Sequence, residues 1–365
     1  MALSIGIVGL PNVGKSTLFN ALLGANQAAA SNFPFCTIEP NTGTVPVPDE
    51  RLDKLASIEK SKQIVPATVE FVDIAGLVRG ASQGQGLGNK FLSHIREVDA
   101  IVMVIRLFSD ENIAHISGNI HPEEDIETIN TELLLADLQT LEQRIYKEEK
   151  AAKTDPKLQP KVSFYKKLKQ HLDNGYSART IAAANDEKNY LRELQLLTSK
   201  PIMYVANVDD NQIKDPDILN PIKGILAKEK EKAQVLGIDA KTEAEIADLK
   251  PDEKKEYLRE LGLAEPGLNK IIRAGYELLN LLTFFTAGEK ETRGWTITAG
   301  STALEAAGVI HTDFAKGFIR AETVNYNDFV KYNGWDGAGA AGKVRSEGRN
   351  YVVRDGDIML FRFNV

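Results

Sequence analysis

The chain has 365 residues, 43% hydrophobic and 26% charged, with a formal net charge of -7. These values exclude a mainly disordered chain and a binder of polyanions by bulk charge, and they provide for two or three domains. The single cysteine, Cys36, excludes an intramolecular disulfide framework and fits a reducing compartment.

The N-terminal stretch Met1-Ala2-Leu3-Ser4 has no basic n-region and no cleavage site, so it does not read as a signal peptide. No apolar run approaches the roughly 20 residues of a membrane span, and a cytoplasmic protein is expected. Residues 5–8 are a short apolar run. A glycine-containing loop follows, then helical patterning over 16–23, with Gly24 placed to end the helix. Similar apolar runs recur at 69–72, 101–105 and 202–205, separated by helical segments, and the pattern resumes at 233–238. Strands buried on both faces of a parallel sheet read in this way. The expected fold class is α/β, a doubly wound and mostly parallel sheet, over residues 1–128 plus 199–280.

Residues 129–198 break the alternation. Ile129, Leu133, Leu134, Leu138, Leu141 and Ile145 have helical spacing, and lysines then dominate: 147, 150, 153, 157, 161, 166, 167 and 169. Pro156 and Pro160 fit the turn of a hairpin, and a second helix is expected over 185–197. The segment reads as an inserted antiparallel helical pair. Its lysines fit either a solvated face or a nucleic-acid contact. From 281 to 365 the chain shows short β-type segments at 296–298, 351–353 and 359–363, broken by glycines. That reads as a small α+β module, with a low-complexity Gly/Ala stretch at 337–342.

The chemistry sits in the loops. Gly9-Leu10-Pro11-Asn12-Val13-Gly14-Lys15-Ser16 fits G-x-x-x-x-G-K-[ST], between a strand and a helix. Backbone N–H groups from Asn12 to Thr17 would wrap phosphate oxygens. Lys15 would reach the β- and γ-phosphates, and the Ser16 hydroxyl would ligate Mg²⁺. Asp73-Ile74-Ala75-Gly76 fits D-x-x-G after the second apolar strand. An aspartate there holds Mg²⁺ through water, and the glycine N–H senses the γ-phosphate. Between the two lies Phe33-Pro34-Phe35-Cys36-Thr37-Ile38-Glu39-Pro40-Asn41, where Thr37 is the choice to complete the Mg²⁺ shell.

These three segments together resemble the Obg-related GTPases, most closely the Obg-like ATPase family of YchF type, over essentially the whole chain. The resemblance implies that 129–198 is a coiled-coil insertion. It also implies that 281–365 is a TGS domain with a β-grasp fold, carried by the segments 311–321 and 354–363. ATP as the substrate and the ribosome or its RNA as a partner are further implications, without DNA specificity.

The base is the open point. Guanine-specific relatives use N-K-x-D, whereas this chain has Asn207-Val208-Asp209-Asp210. Val208 replaces the lysine, while Asp210 keeps the acidic position. The residues alone leave both bases open; the resemblance favours ATP, with Asn207 and Val208 lining the base. The S-A-K element appears altered, as Asp239-Ala240-Lys241, and Ala240 is assigned to the base site.

Leu77 occupies the place after D-x-x-G where a glutamine would orient water. His115 is the first candidate to substitute and His94 a weaker one, against the plain reading of surface histidines. Asn12 is a candidate K⁺ ligand, placing positive charge at the transferring phosphoryl, or else only shapes the turn. Cys36 is either an inert buried thiol or an oxidation point beside Thr37. Three functions compete: an ATP-driven switch docking on the ribosome, a nucleotide-gated regulator of protein partners without RNA, and, ranked last, a metabolic kinase.

Overall fold

The computed structural model describes residues 3–30, 41–74, 86–110, 120–215 and 217–364. Its strands in chain order are β1 Ser4–Val8, β2 Thr42–Pro46, β3 Gln63–Val65, β4 Thr68–Asp73, β5 Ala100–Arg106 and β6 Ile202–Asn207. Then come β7 Val235–Ile238, β8 Leu281–Ala287, β9 Glu291–Thr298, β10 Phe318–Asn325, β11 Arg345–Glu347 and β12 Asp357–Phe363. Among the described residues, 3–25, 41–43 and 71–268 form one compact unit, and 26–30, 44–70 and 269–364 form another.

The first unit holds β1, β5, β6 and β7, successively parallel in a sheet of order β2-β4-β1-β5-β6-β7. Every residue of β5 and of β6 is buried, as a central parallel strand covered on both faces requires. After β2 and β4 on one side of β1 the chain crosses to β5 on the other, so a topological switch point lies beside β1. Ligands of open α/β sheets sit there, at the carboxyl ends of the strands.

The helix after β1 runs Lys15–Ala30, straight through Gly24 rather than ending there. One glycine costs a helix only about 1 kcal/mol, and the residues that follow, Ala25 to Ala30, include four alanines.

The insertion holds three helices instead of a pair: Pro122–Ala152, Gln159–Asp173 and Asn185–Leu194. The first two form the hairpin, and its turn falls at Pro156 as expected. They close over Leu134, Leu141, Phe164, Tyr165, Leu168 and Leu172, with Leu194 and Leu196 added from the third helix and its exit. Each such side chain contributes roughly 1.5–3 kcal/mol when fully buried. The exit is fastened by Asp137, 1% exposed, whose carboxylate accepts from the N–H groups of Leu197 and Thr198, both at 2.8 Å, and from the Thr198 hydroxyl at 2.6 Å.

In the second unit the order is β11-β10-β12-β8-β9-β3. The module's first and last strands, β8 and β12, lie side by side and parallel, flanked by antiparallel partners, which is a β-grasp arrangement. Pleating sends neighbours to opposite faces. Phe284 and Met359 pack with Ala303, Ala306 and Ala307 of helix Ala303–Ile310. Phe285 and Ile358 pack with Leu52 and Leu55 of helix Glu50–Glu59, and with Phe329. Residues 351–353 form only an isolated bridge, Thr302 to Val352, not a strand. The Gly/Ala stretch is ordered in part as helix Trp335–Ala340.

Candidate nucleotide site

The loop between β1 and helix Lys15–Ala30 turns on Gly14, whose φ is +95°. A Cβ there would collide with the amide nitrogen of Asn207, so glycine is needed for both conformation and space. Helix formation begins at once, with the Leu18 N–H donating to the Gly14 carbonyl at 2.9 Å. The helix N-terminus, with its orphan N–H groups, therefore faces the loop.

Lys15 is 7% exposed and its ammonium donates to the Leu10 carbonyl at 2.7 Å. Burial pulls its pKa down to about 8, with Asp73 opposing the shift. The Ser16 hydroxyl donates to Asp73 Oδ2 at 2.9 Å. Asp73 Oδ1 is buried and has no hydrogen-bond partner among the described residues. A buried carboxylate oxygen left without a donor is costly, and a hard cation with its water shell is the usual remedy.

At the far end, Asn207 closes β6. Its Nδ2 donates to the Val13 carbonyl and its Oδ1 accepts from the Ala240 N–H, both at 3.0 Å. Val208 is buried at 1%, and its N–H donates to the Ile238 carbonyl at 2.8 Å. Asp239 caps helix Ala240–Asp248 through the N–H groups of Lys241 and Thr242. Asp210 is exposed and opens the short turn Asp210–Gln212.

Between these ends lies an open cleft of about 1120 Å³. Asn12, Gly14, Lys15, Ser16 and Thr17 line one end, and Asn207, Val208, Asp210 and Ala240 the other. Val13 turns its side chain into the core and offers its carbonyl to Asn207. His94 is exposed on helix Gly86–Glu97 and does not line the cleft. Thr37, Gly76, His115 and Cys36 lie outside the described residues.

Two further walls of the cleft carry no sequence motif. Phe108 and Ser109 follow β5, and the buried Arg106 supports that turn, with its guanidinium 4.3 Å from the Phe108 ring and donating to the Phe108 carbonyl at 3.2 Å. The position just past a buried parallel strand was a usable signal. Glu245 and Tyr257 also line the cleft, from two later helices, and no sequence pattern marked them.

A doubly wound sheet whose first loop wraps a helix N-terminus, with a serine–aspartate pair beside it, defines a P-loop nucleotide-binding protein of the GTPase class. Residues 4–145 match the family model of the 50S ribosome-binding GTPase, and residues 281–364 match a YchF GTPase C-terminal model described as a protein of unknown function. Relatives named Ribosome-binding ATPase YchF are 54% identical in Escherichia coli O157:H7 and 53% in Bacillus subtilis strain 168, each over 100% of both chains. The structure of the Schizosaccharomyces pombe YchF GTPase superposes with a TM-score of 0.91 at 37% identity, covering 99% of this chain and 97% of that one. The chain belongs to the YchF family.

Proposed function

We propose that this protein is an ATP-hydrolysing molecular switch that docks on the ribosome. The observation carrying the reading is the continuous lining from Ser16 to Val208, which joins a phosphate cradle to a base pocket without the guanine-stacking lysine. The name shared by the bacterial relatives, ribosome-binding ATPase, supports it over the full length. In this reading 1–128 plus 199–280 is the nucleotide domain, 129–198 the coiled-coil insertion and 281–365 the TGS module. The protein acts in the cytoplasm, in keeping with its lone cysteine and its ribosomal partner.

Mg²⁺ fits the residues present, because Ser16 offers a hydroxyl and Asp73 a buried oxygen in need of a partner. Ser16 would hold it directly, Asp73 through water, with Thr37 completing the shell. When bound, it would supply positive charge to offset that of the phosphates. Lys15 contacts the transferring phosphoryl, and the N–H groups of residues 12–17 fix its orientation. The Gly76 N–H senses the γ-phosphate. His115 would orient the attacking water in place of the missing glutamine, and Asn12, exposed on the cleft, would be the K⁺ ligand. The slow intrinsic rate expected of such a site suits a switch better than a metabolic enzyme.

A second reading, a conventional GTPase, draws on Asp210, which keeps the guanine-reading position and lines the cleft. Equilibrium binding of ATP and GTP with Mg²⁺, side by side, separates the two. The proposal expects ATP to bind at least about tenfold tighter, a difference near 1.4 kcal/mol. Preference for GTP would return the chain to the conventional class.

A further inference from the structure

We infer that the ring of Tyr257 stacks on one face of the nucleotide's base and supplies the cover that Val208, standing in place of a lysine, does not give. The inference rests on the ATP-switch reading and names a residue that positions the base in that same site.

Charge divides the cleft. Lys15 and its loop hold one end, while Asp209, Asp210, Asp239 and Glu245 line the other, against Lys241 alone. Two of these carboxylates are occupied by the fold. Asp209 accepts from the Ser109 N–H at 3.1 Å, and Asp239 accepts from the Thr242 hydroxyl at 2.6 Å and from two N–H groups of its helix. Asp210 and Glu245 stay exposed. Phosphates are repelled from that end and drawn to the other, so a nucleotide lies with its uncharged base among the carboxylates.

Tyr257 is at the carboxylate end. Partial loss of water first, and then the charges of Glu245, Asp210 and Asp239, push the pKa of its phenol up, so the ring stays neutral beside a neutral base. The local sequence places it there. Leu249 and Lys250 are extended, with ψ of 148° and 156°, as suits a residue before proline, and helix Pro251–Leu261 starts directly after them. Leu258, 8% exposed, seats the helix, and Gly262 closes it at φ +69°. The adjacent Tyr257 is only half-buried and lines the cleft.

A ring that served packing alone would go with Leu258 into the core, away from three carboxylates. An apolar face with a polar tip, set on the wall of a cleft, is the form of side chain that stacks on a base and keeps its hydroxyl wet. Val208 is 1% exposed and too short to cover a base as a lysine stem does.

The test is equilibrium titration of the full-length protein, with Mg²⁺, against ATP, GTP and inorganic tripolyphosphate, together with steady-state ATP turnover. Y257A and Y257L, the second keeping an apolar side chain beside Leu258, should weaken ATP about fivefold or more and leave tripolyphosphate unchanged. Y257F, which keeps the ring, should bind ATP like the parent. In turnover the loss should fall on KM and not on kcat. Stacking tolerates any base, so GTP should weaken by the same factor. Equal losses for ATP and tripolyphosphate would make Tyr257 a support of the phosphate loop and overturn the inference. So would unchanged ATP affinity in Y257L, or a loss confined to one purine. Preference of the unaltered protein for GTP would overturn the ATP reading instead, and the effect of Tyr257, seen then with GTP, would stand.

Discussion

The amide nitrogen of Asn207 donates to the carbonyl oxygen of Val13 at 3.0 Å, although the two residues lie 194 positions apart. The bond clamps the phosphate loop to the end of β6, and the same side chain reaches Ala240 on its other edge. The base end and the phosphate end of the cleft therefore share one side chain. Asn207→Ala should lower ATP affinity about tenfold or more and cost about 1–3 kcal/mol of stability, since two buried backbone groups lose their partner. Calorimetric titration and urea unfolding measure the two effects; unchanged affinity would mean that the clamp is not part of binding.

Lys15 predicts a pH dependence. Burial holds its folded pKa at about 8, below the ordinary 10.5. Between those values the unfolded chain binds the extra proton, so stability from this group rises with pH there, and its burial penalty is full below pH 8. Phosphate requires the ammonium form. ATP affinity should therefore hold below pH 8 and fall above it, with a proton taken up on binding. Titrations above that pH in two buffers of different ionisation enthalpy would reveal the uptake; equal heats would refute it.

Asp73→Asn removes the charge that the second carboxylate oxygen offers a cation. Turnover should drop by about 10²–10³, in line with loss of one electrostatic contact at a transferring group. Addition of Mg²⁺ should raise the melting temperature of the ATP complex in the parent protein and not in the variant. Equal thermal shifts would dissociate Asp73 from the metal.

A buried ion pair joins the insertion to the segment that follows it. Arg179 holds Glu231 through two bonds, Nη2 to Oε2 at 2.8 Å and Nε to Oε1 at 2.5 Å, with side chains 13% and 3% exposed. Arg179→Met alone should destabilise by about 3–5 kcal/mol, because Glu231 is left buried and unpaired. The double change Arg179→Met with Glu231→Leu should recover most of that loss in urea melts. A double variant as unstable as the single one would show that packing, not charge, explains the cost.

The phosphate loop and the parallel strands were legible because their signals are local: glycines at fixed offsets, and apolar runs of strand length. Partners distant in the chain were not. Asp137, Arg179 and Glu231 look like surface charges in sequence, and only the fold brings their partners to them. Helix Gln159–Asp173 was hidden by its lysines, which sit between Val162, Tyr165, Leu168 and Leu172. Gly24 misled because a tolerable cost was read as a stop. The base pocket was half visible: Asn207 and Val208 stood out against a known pattern, whereas Tyr257 lies far along the chain on a helix with no motif.

Residues 44–70 pack with a module that begins at 269. Leu52 and Leu55 must wait for Phe285 and Ile358 to exist. A chain made at about 5–20 residues per second leaves them without their complete core for roughly 15–60 s of synthesis. The β-grasp module is thus completed only near the end of translation and cannot be released as an intact piece by cutting the chain at residue 280. A nascent-chain series arrested before β12 should leave helix Glu50–Glu59 open to protease, and the finished chain should protect it.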